Sequence, residues 1–174
     1  MHMKKSLIII ALSIIFTIPF ICQHAYSQEK YYPKVENLQG KEQLMSELDE
    51  LKRIRENMST INITSDLDSE GLKRTNQYIA TYLTELNSVR SDLETHRVNY
   101  KNSFADLYFS EQIQFIADSY IISLRQQQNL LSQLDKNNPD AKKLFESDYL
   151  TPTYYYVTLG DQMYSYIVDY FSIL

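Results

Sequence analysis

The pattern of this sequence predicts an all-α fold, an antiparallel bundle of about four main helices with coiled-coil-like heptad packing. Three observations carry that expectation. Between Gly71 and Pro139 the chain holds neither glycine nor proline over 67 residues, which strongly favours helix. Apolar side chains recur at alternating spacings of three and four in several separate segments, the signature of helices that pack along a seam. Short polar stretches divide those segments, so sequential helices pack as antiparallel neighbours.

The first segment carries Leu44, Leu48, Leu51, Arg55 and Met58 at spacings of 4, 3, 4 and 3, with Ile54 on the flank of the stripe. This predicts a helix from about residue 41 to 58, starting as early as Val35 if Gly40 is absorbed. Ser59 to Ser69 is rich in Ser, Thr, Asn and Asp and reads as a loop, in which Ser65 and Asp68 have the spacing of a capping box.

The second segment is the most regular. Leu72, Thr75, Ile79, Tyr82, Leu86, Val89, Leu93, His96 and Tyr100 follow one another at alternating spacings of 3 and 4, predicting a long helix against a partner. At Phe104 the phase slips, because it follows Tyr100 by four where three is due. A reversal between residues 99 and 110 accounts for the slip; the rival is one continuous rod, on the order of 100 Å long at the rise of an α-helix.

A third segment, Ile113, Ile116, Tyr120, Leu124, Gln127, Leu131 and Leu134, is apolar nearly all round in its first half, with Phe115 and Ile122 on the far side. Such a helix is central in a core or contacts a partner. Asn137-Asn138-Pro139-Asp140 then ends it and opens a short helix near residues 139 to 147, with Asn138 as N-cap. Beyond Thr151-Pro152, the positions Tyr156, Leu159, Met163, Tyr166 and Tyr170 step by 3, 4, 3 and 4 as a last helix. The competing reading is a hairpin, since Tyr154 to Leu159 is strand-like and Gly160-Asp161 suits a tight turn.

Ahead of this domain, residues 1–27 read as a cleaved secretory signal peptide. Lys4 and Lys5 form the positive end, Leu7 to Ile21 is an apolar run, and Ala25-Tyr26-Ser27 is a small-x-small site before Gln28. The apolar run is short of the roughly 20 residues that span a bilayer, and Pro19-Phe20-Ile21 lacks the small residue that lipidation at Cys22 needs. Membrane association follows only if this segment is retained. The expectation is therefore a single helical domain over residues 28–174, exported to the periplasm or outside the cell, with a bacterial look to its signal.

The residue inventory of that domain excludes much chemistry. Cys22 is the only cysteine and leaves with the signal, so no disulfide staples the fold. His2 and His24 leave too, and His96 alone rules out Cys-His catalysis and a zinc site of several histidines. The three glycines, Gly40, Gly71 and Gly160, are too far apart for a phosphate-cradling loop. Loss of Lys4 and Lys5 leaves 15 basic against 22 acidic residues, a surface that repels nucleic acid. No metal or cofactor is expected, and no enzymatic activity.

Several constellations admit a functional and a plain structural reading. His96 with Asp92 one turn earlier is a possible proton-sharing pair, but buried polar seam residues more often set register. Glu47 with Glu50 and Asp66 with Asp68 have the look of paired acids, yet Asp49 with Arg53 and Glu70 with Arg74 fit ordinary ion pairs on solvated helix faces. Asn57-Met58-Ser59 and Asn62-Ile63-Thr64 match the glycosylation sequon, a short pattern that also arises by chance. Seven tyrosines fall within the last 26 residues, a stretch without Lys or Arg. One seam buries one side only, which makes Tyr154, Tyr155, Tyr164 and Phe171 the candidate interface, with additional core as the alternative.

The resulting functional expectation is an exported, non-enzymatic helical protein that binds another protein, as an accessory of an envelope assembly or secretion apparatus. The alternative is a small-ligand or chaperone-like binder with an apolar, tyrosine-lined groove between helices. A homo-oligomer is compatible with either.

Overall fold

Four helices pack against one another as a four-helix bundle, and no strand occurs among the described residues. The computed structural model describes residues 33–135 apart from Ser65, then Asp140, Lys143 and residues 150–172, without the side chains of Asp135, Leu150 and Ser172. Residues 1–27, expected to form a signal peptide, and most of the short helix expected near 139–147 lie outside the described residues.

A single 3₁₀ turn, Val35–Asn37, precedes the first helix and buries Val35. Helix α1, Lys41–Met58, buries Leu44, Leu48, Leu51, Ile54 and Met58. The expected stripe differs at one point: Ile54 is fully buried in the core, while Arg55 lies at its edge. A guanidinium on the central line of an apolar seam has no counter-charge, and one helical step outward it finds one.

Helix α2, Ser69–Asn99, opens at Asp68, whose side chain accepts the Gly71 N–H at 2.7 Å. Such a cap is worth about 1 kcal/mol. Asp68 is thus itself the N-cap, and Ser65, its partner in the expected capping box, lies outside the described residues. Leu72, Thr75, Ile79, Leu86, Val89, Leu93 and His96 are buried along the predicted seam, with Tyr82 and Tyr100 half-buried.

The chain reverses between Tyr100 and Ser103, inside the expected window, and the rod is excluded. Ser103 supplies what the missing glycine or proline does not. Its carbonyl accepts the Leu107 N–H at 3.1 Å and its hydroxyl accepts the Asp106 N–H at 3.3 Å, opening the next helix.

Helix α3, Phe104–Asp135, is the hub of the bundle and packs against α1, α2 and the last helix. Phe109, Ile113, Ile116, Tyr120, Ile121, Leu124 and Leu131 fill the core around it. Buried Ala105, Ala117, Ser119 and Ser123 keep its sides narrow, and helix axes come closest where side chains are small.

Helix α4, Leu150–Ser172, settles the C-terminal segment as helix, with Gly160-Asp161 in its interior and no hairpin. Its seam, however, sits one residue further on than the tyrosine repeat indicates. Gly160, Ile167 and Phe171 are the buried positions, and Val157 and Tyr164 pack half-buried between them, again at spacings of 3, 4, 3 and 4. Tyr120 of α3 lies against the Gly160 backbone, where an added Cβ would stand 2.5 Å from the ring. A glycine is invisible to an apolar count, and that is why the repeat read from Tyr156, Leu159 and Met163 was displaced.

Candidate functional site

His96 is the centre of a buried polar knot. Its ring nitrogens face Gln43 Oε1 and Asp106 Oδ1, each at 3.0 Å, and His96 and Asp106 are both fully buried. Asp106 also accepts the Gln39 and Gly40 N–H groups at 2.9 Å and a short hydrogen bond from the Ser103 hydroxyl. Burial holds the imidazole below its usual range against the pull of Asp106. Burial also works against the Asp106 carboxylate, but the hydrogen bonds from Ser103, Gln39 and Gly40 outweigh it and hold that group below its usual range.

The partner of His96 is thus Asp106 across the α2–α3 turn. Asp92, the neighbour suggested by spacing, instead offers its backbone carbonyl to Gln43 at 3.4 Å. The knot ties the segment before α1 to the turn between α2 and α3. Neither His96 nor Asp106 is exposed to solvent.

Ion pairs on the helix faces also differ from the sequence spacing. Arg53 pairs with Glu50 at 2.6 Å and with Glu85 of α2 at 3.0 Å, rather than with Asp49. Among the described residues no group of three His, Cys, Asp or Glu is placed to hold a metal ion, and no helix is long and apolar enough to cross a membrane.

The second polar centre joins three helices. Arg55 of α1 makes two parallel bonds of 2.8 Å to the Asp161 carboxylate of α4, and the Tyr120 hydroxyl of α3 donates to the same carboxylate at 2.8 Å. Burial, together with the carboxylate beside it, pushes the Tyr120 phenol above its usual range, so it remains a donor. This centre forms the inner end of a groove of about 380 Å³ between the C-terminal end of α1, the loop after it and the first half of α4. Met58, Ile61, Ile63, Leu130 and Val157 line it with apolar surface, and Tyr154 stands at its edge, 64% exposed. A second hollow, of about 370 Å³, lies beside the same ion pair and is lined in part by Tyr164.

The four residues expected to share one outward face are separated by the structure. Phe171 is buried in the core and Tyr164 packs half-buried against it, both on the true seam of α4. Tyr154 and Tyr155 are exposed, at 64% and 61%, but successive residues point roughly 100° apart around a helix. Tyr154 faces the groove, and Tyr155 projects from the other flank.

That other flank belongs to an aromatic ladder that sequence reasoning missed as a unit. Phe104 and Tyr108 of α3 stand 6.4 Å apart between ring centroids, Tyr108 and Phe109 5.3 Å, Phe109 and Tyr170 of α4 6.0 Å, and Tyr170 and Tyr166 5.0 Å. Its ends are open to solvent, Phe104 at 55% and Tyr166 at 45%. The available signal was the apolar far side of α3, together with the tyrosines at 166 and 170 that the displaced seam had assigned to the core.

No protein family, curated protein or solved structure matches this chain.

Proposed function

We infer that this is an exported, non-enzymatic helical protein that binds another protein as an accessory of an envelope assembly or secretion apparatus, and that the groove beside Tyr154 receives a side chain of that partner. The observation that carries the reading is the combination of apolar lining and exposed aromatic edge: Met58, Ile61, Ile63 and Val157 inside, Tyr154 outside. Tyrosine at the mouth of a pocket is a common anchor of protein interfaces, and the groove is the size of one or two side chains. Export rests on Lys4, Lys5, the Leu7 to Ile21 run and Ala25-Tyr26-Ser27. The absence of catalysis is supported by His96, the one histidine beyond residue 27, buried with both ring nitrogens engaged.

The test is site-specific photocrosslinking in the producing cells. A benzophenone side chain at Tyr154 should trap one discrete protein, while the same group at the exposed Lys73 of α2 should not. Equal labelling at both positions, or none at Tyr154, would remove the groove as a protein site.

The volume of about 380 Å³ also favours a second reading, because it falls in the range of small-ligand pockets. A small-ligand or chaperone-like binder would take up an apolar fluorescent dye in this groove with one-to-one stoichiometry. Ile63→Glu would then abolish dye binding, and Tyr154 would trap no protein.

A further inference from the structure

We propose that residues 61–64, the loop wall of the Tyr154 groove, pair as an edge strand with an extended segment of the partner protein that is uncharged, apolar at alternate positions and flanked by basic residues. This rests on the groove being a protein site. Thr60-Ile61-Asn62-Ile63-Thr64 is a β-branched run inside a helical chain, and it holds no charge and no proline. Residues 61–64 are neither helix nor turn. Ile61 and Ile63 pack half-buried against the core while Thr60 and Asn62 are exposed, the two-residue alternation of an extended backbone.

The main chain of this run is unpaired. At its ends the Ile61 N–H donates to the Met58 carbonyl at 3.1 Å, and the Thr64 carbonyl accepts the Leu67 N–H at 3.4 Å. Between them, the carbonyls of Ile61, Asn62 and Ile63 and the N–H groups of Asn62, Ile63 and Thr64 have no partner among the described residues. Successive residues of an extended chain turn these groups to opposite sides. Asn62 with the Thr64 N–H, or Ile63 with the Ile61 carbonyl, therefore offers about three bonds to a strand on one side. Edges kept from pairing carry Lys, Pro or inward charges, and residues 60–64 have none of these.

Charge defines the occupant. Among the groove-lining residues the ions are Arg55 and Asp161, which are bonded to each other, so a charged side chain entering there loses water without gaining a free counter-ion. Alternate side chains of a strand stand about 7 Å apart, and the groove of about 380 Å³ holds one or two of them. Past Thr64 the chain turns acidic: Asp66, Asp68 and Glu70 follow, with no Lys or Arg between Arg55 and Lys73. Lys or Arg beyond the paired stretch of the partner complements that charge. Main-chain pairing supplies affinity in such a contact, and the alternate side chains supply specificity.

The test starts from the product captured by a benzophenone at Tyr154. Peptide mapping of the crosslinked segment should show uncharged apolar residues at every second position over about four residues, with Lys or Arg just beyond. A segment with helical three-and-four spacing, one with Asp or Glu inside the paired stretch, or one from this chain itself overturns the proposal. Proline at 62, 63 or 64 removes an N–H that bonds to nothing in the folded chain, so melting temperatures should stay nearly unchanged. Read against alanine at the same position, capture should fall about 10-fold or more either for Asn62→Pro and Thr64→Pro or for Ile63→Pro, because a strand pairs on one side only. Equal effects at all three positions, or none, overturn the pairing. Should a proline variant fail to fold, amide exchange of the captured complex decides: the N–H groups on the paired side should slow about 10-fold or more, and unchanged exchange across 62–64 overturns the pairing. Capture that persists without either effect leaves the groove reading in place, whereas no capture at Tyr154 in the parent removes both.

Discussion

The Asp106 carboxylate joins three parts of the chain: the segment before α1, the end of α2 and the turn that follows it. Four groups depend on one carboxylate: two backbone N–H groups, a hydroxyl and an imidazole. The Gly40 N–H, the Ser103 hydroxyl and the His96 ring are buried away from water, and an unsatisfied buried donor costs about 1 to 3 kcal/mol. Asp106→Ala should therefore lower stability by about 3 kcal/mol or more, as leaving several buried hydrogen-bonding groups unsatisfied does, with Glu94→Ala on the exposed side of α2 nearly neutral. Chemical denaturation of both variants checks this. A loss at Asp106 no larger than at Glu94 would mean that the knot contributes register but little free energy. Sequence spacing places His96 on the seam and leaves its partner out of sight, because Asp106 lies across a reversal that only the folded turn brings within 3.0 Å.

At the scale of the helix, α4 shows how a register is decided by one residue without a side chain. With Gly160 facing Tyr120, the seam runs through Val157, Tyr164, Ile167 and Phe171 and turns Tyr155 and Tyr166 outward. Gly160→Ala pushes a methyl group into a ring whose hydroxyl is held by Asp161, and should cost about 1 to 3 kcal/mol, as overpacking does. Phe171→Ser, which empties a core site, should cost about 3 to 5 kcal/mol. Tyr154→Ser and Tyr155→Ser should each stay within about 0.5 kcal/mol of the parent, as exposed substitutions do. Thermal melts of the four variants check the register, and equal losses across them would restore the displaced seam. Helices α1, α2 and α3 were legible because Leu, Ile and Val mark their buried lines directly. In α4 tyrosine occupies both the buried and the exposed lines, so an apolar count cannot tell them apart. The groove and the ladder were illegible for a different reason. They join residues such as Arg55 and Asp161, 106 positions apart, through contacts between helices that no spacing within one helix encodes.

Across the whole molecule, the half-buried Glu47 and the buried His96 respond to pH in opposite directions. Glu47 lies in an acidic hollow between α1 and α2, with Asp49, Glu50, Glu85, Asp92 and Arg53 around it. Burial, then Asp92 and Glu50, push its carboxyl up to about 7 from the usual 4.5. Between these values the folded chain holds more protons than the unfolded one, so stability falls as pH rises from 4.5 through 7. His96 acts in reverse. Its folded value lies below the ordinary 6.5, so the unfolded chain takes the proton first and stability falls as pH drops below 6.5. Asp106 adds a further loss below 3.8. Between about pH 4.5 and 6.5 the two effects oppose each other, which flattens the stability of the parent there. Glu47→Gln removes one of them. It should raise the melting temperature at pH 8, where Glu47 is ionised beside Asp92 and Glu50, and leave it unchanged at pH 4, where the carboxyl is protonated in both states. The same variant should lose stability steadily from pH 6.5 downward, exposing the contribution of His96. Identical melting profiles for Glu47→Gln and the parent from pH 4 to 8 would mean that the hollow is open enough to water to leave Glu47 an ordinary surface acid.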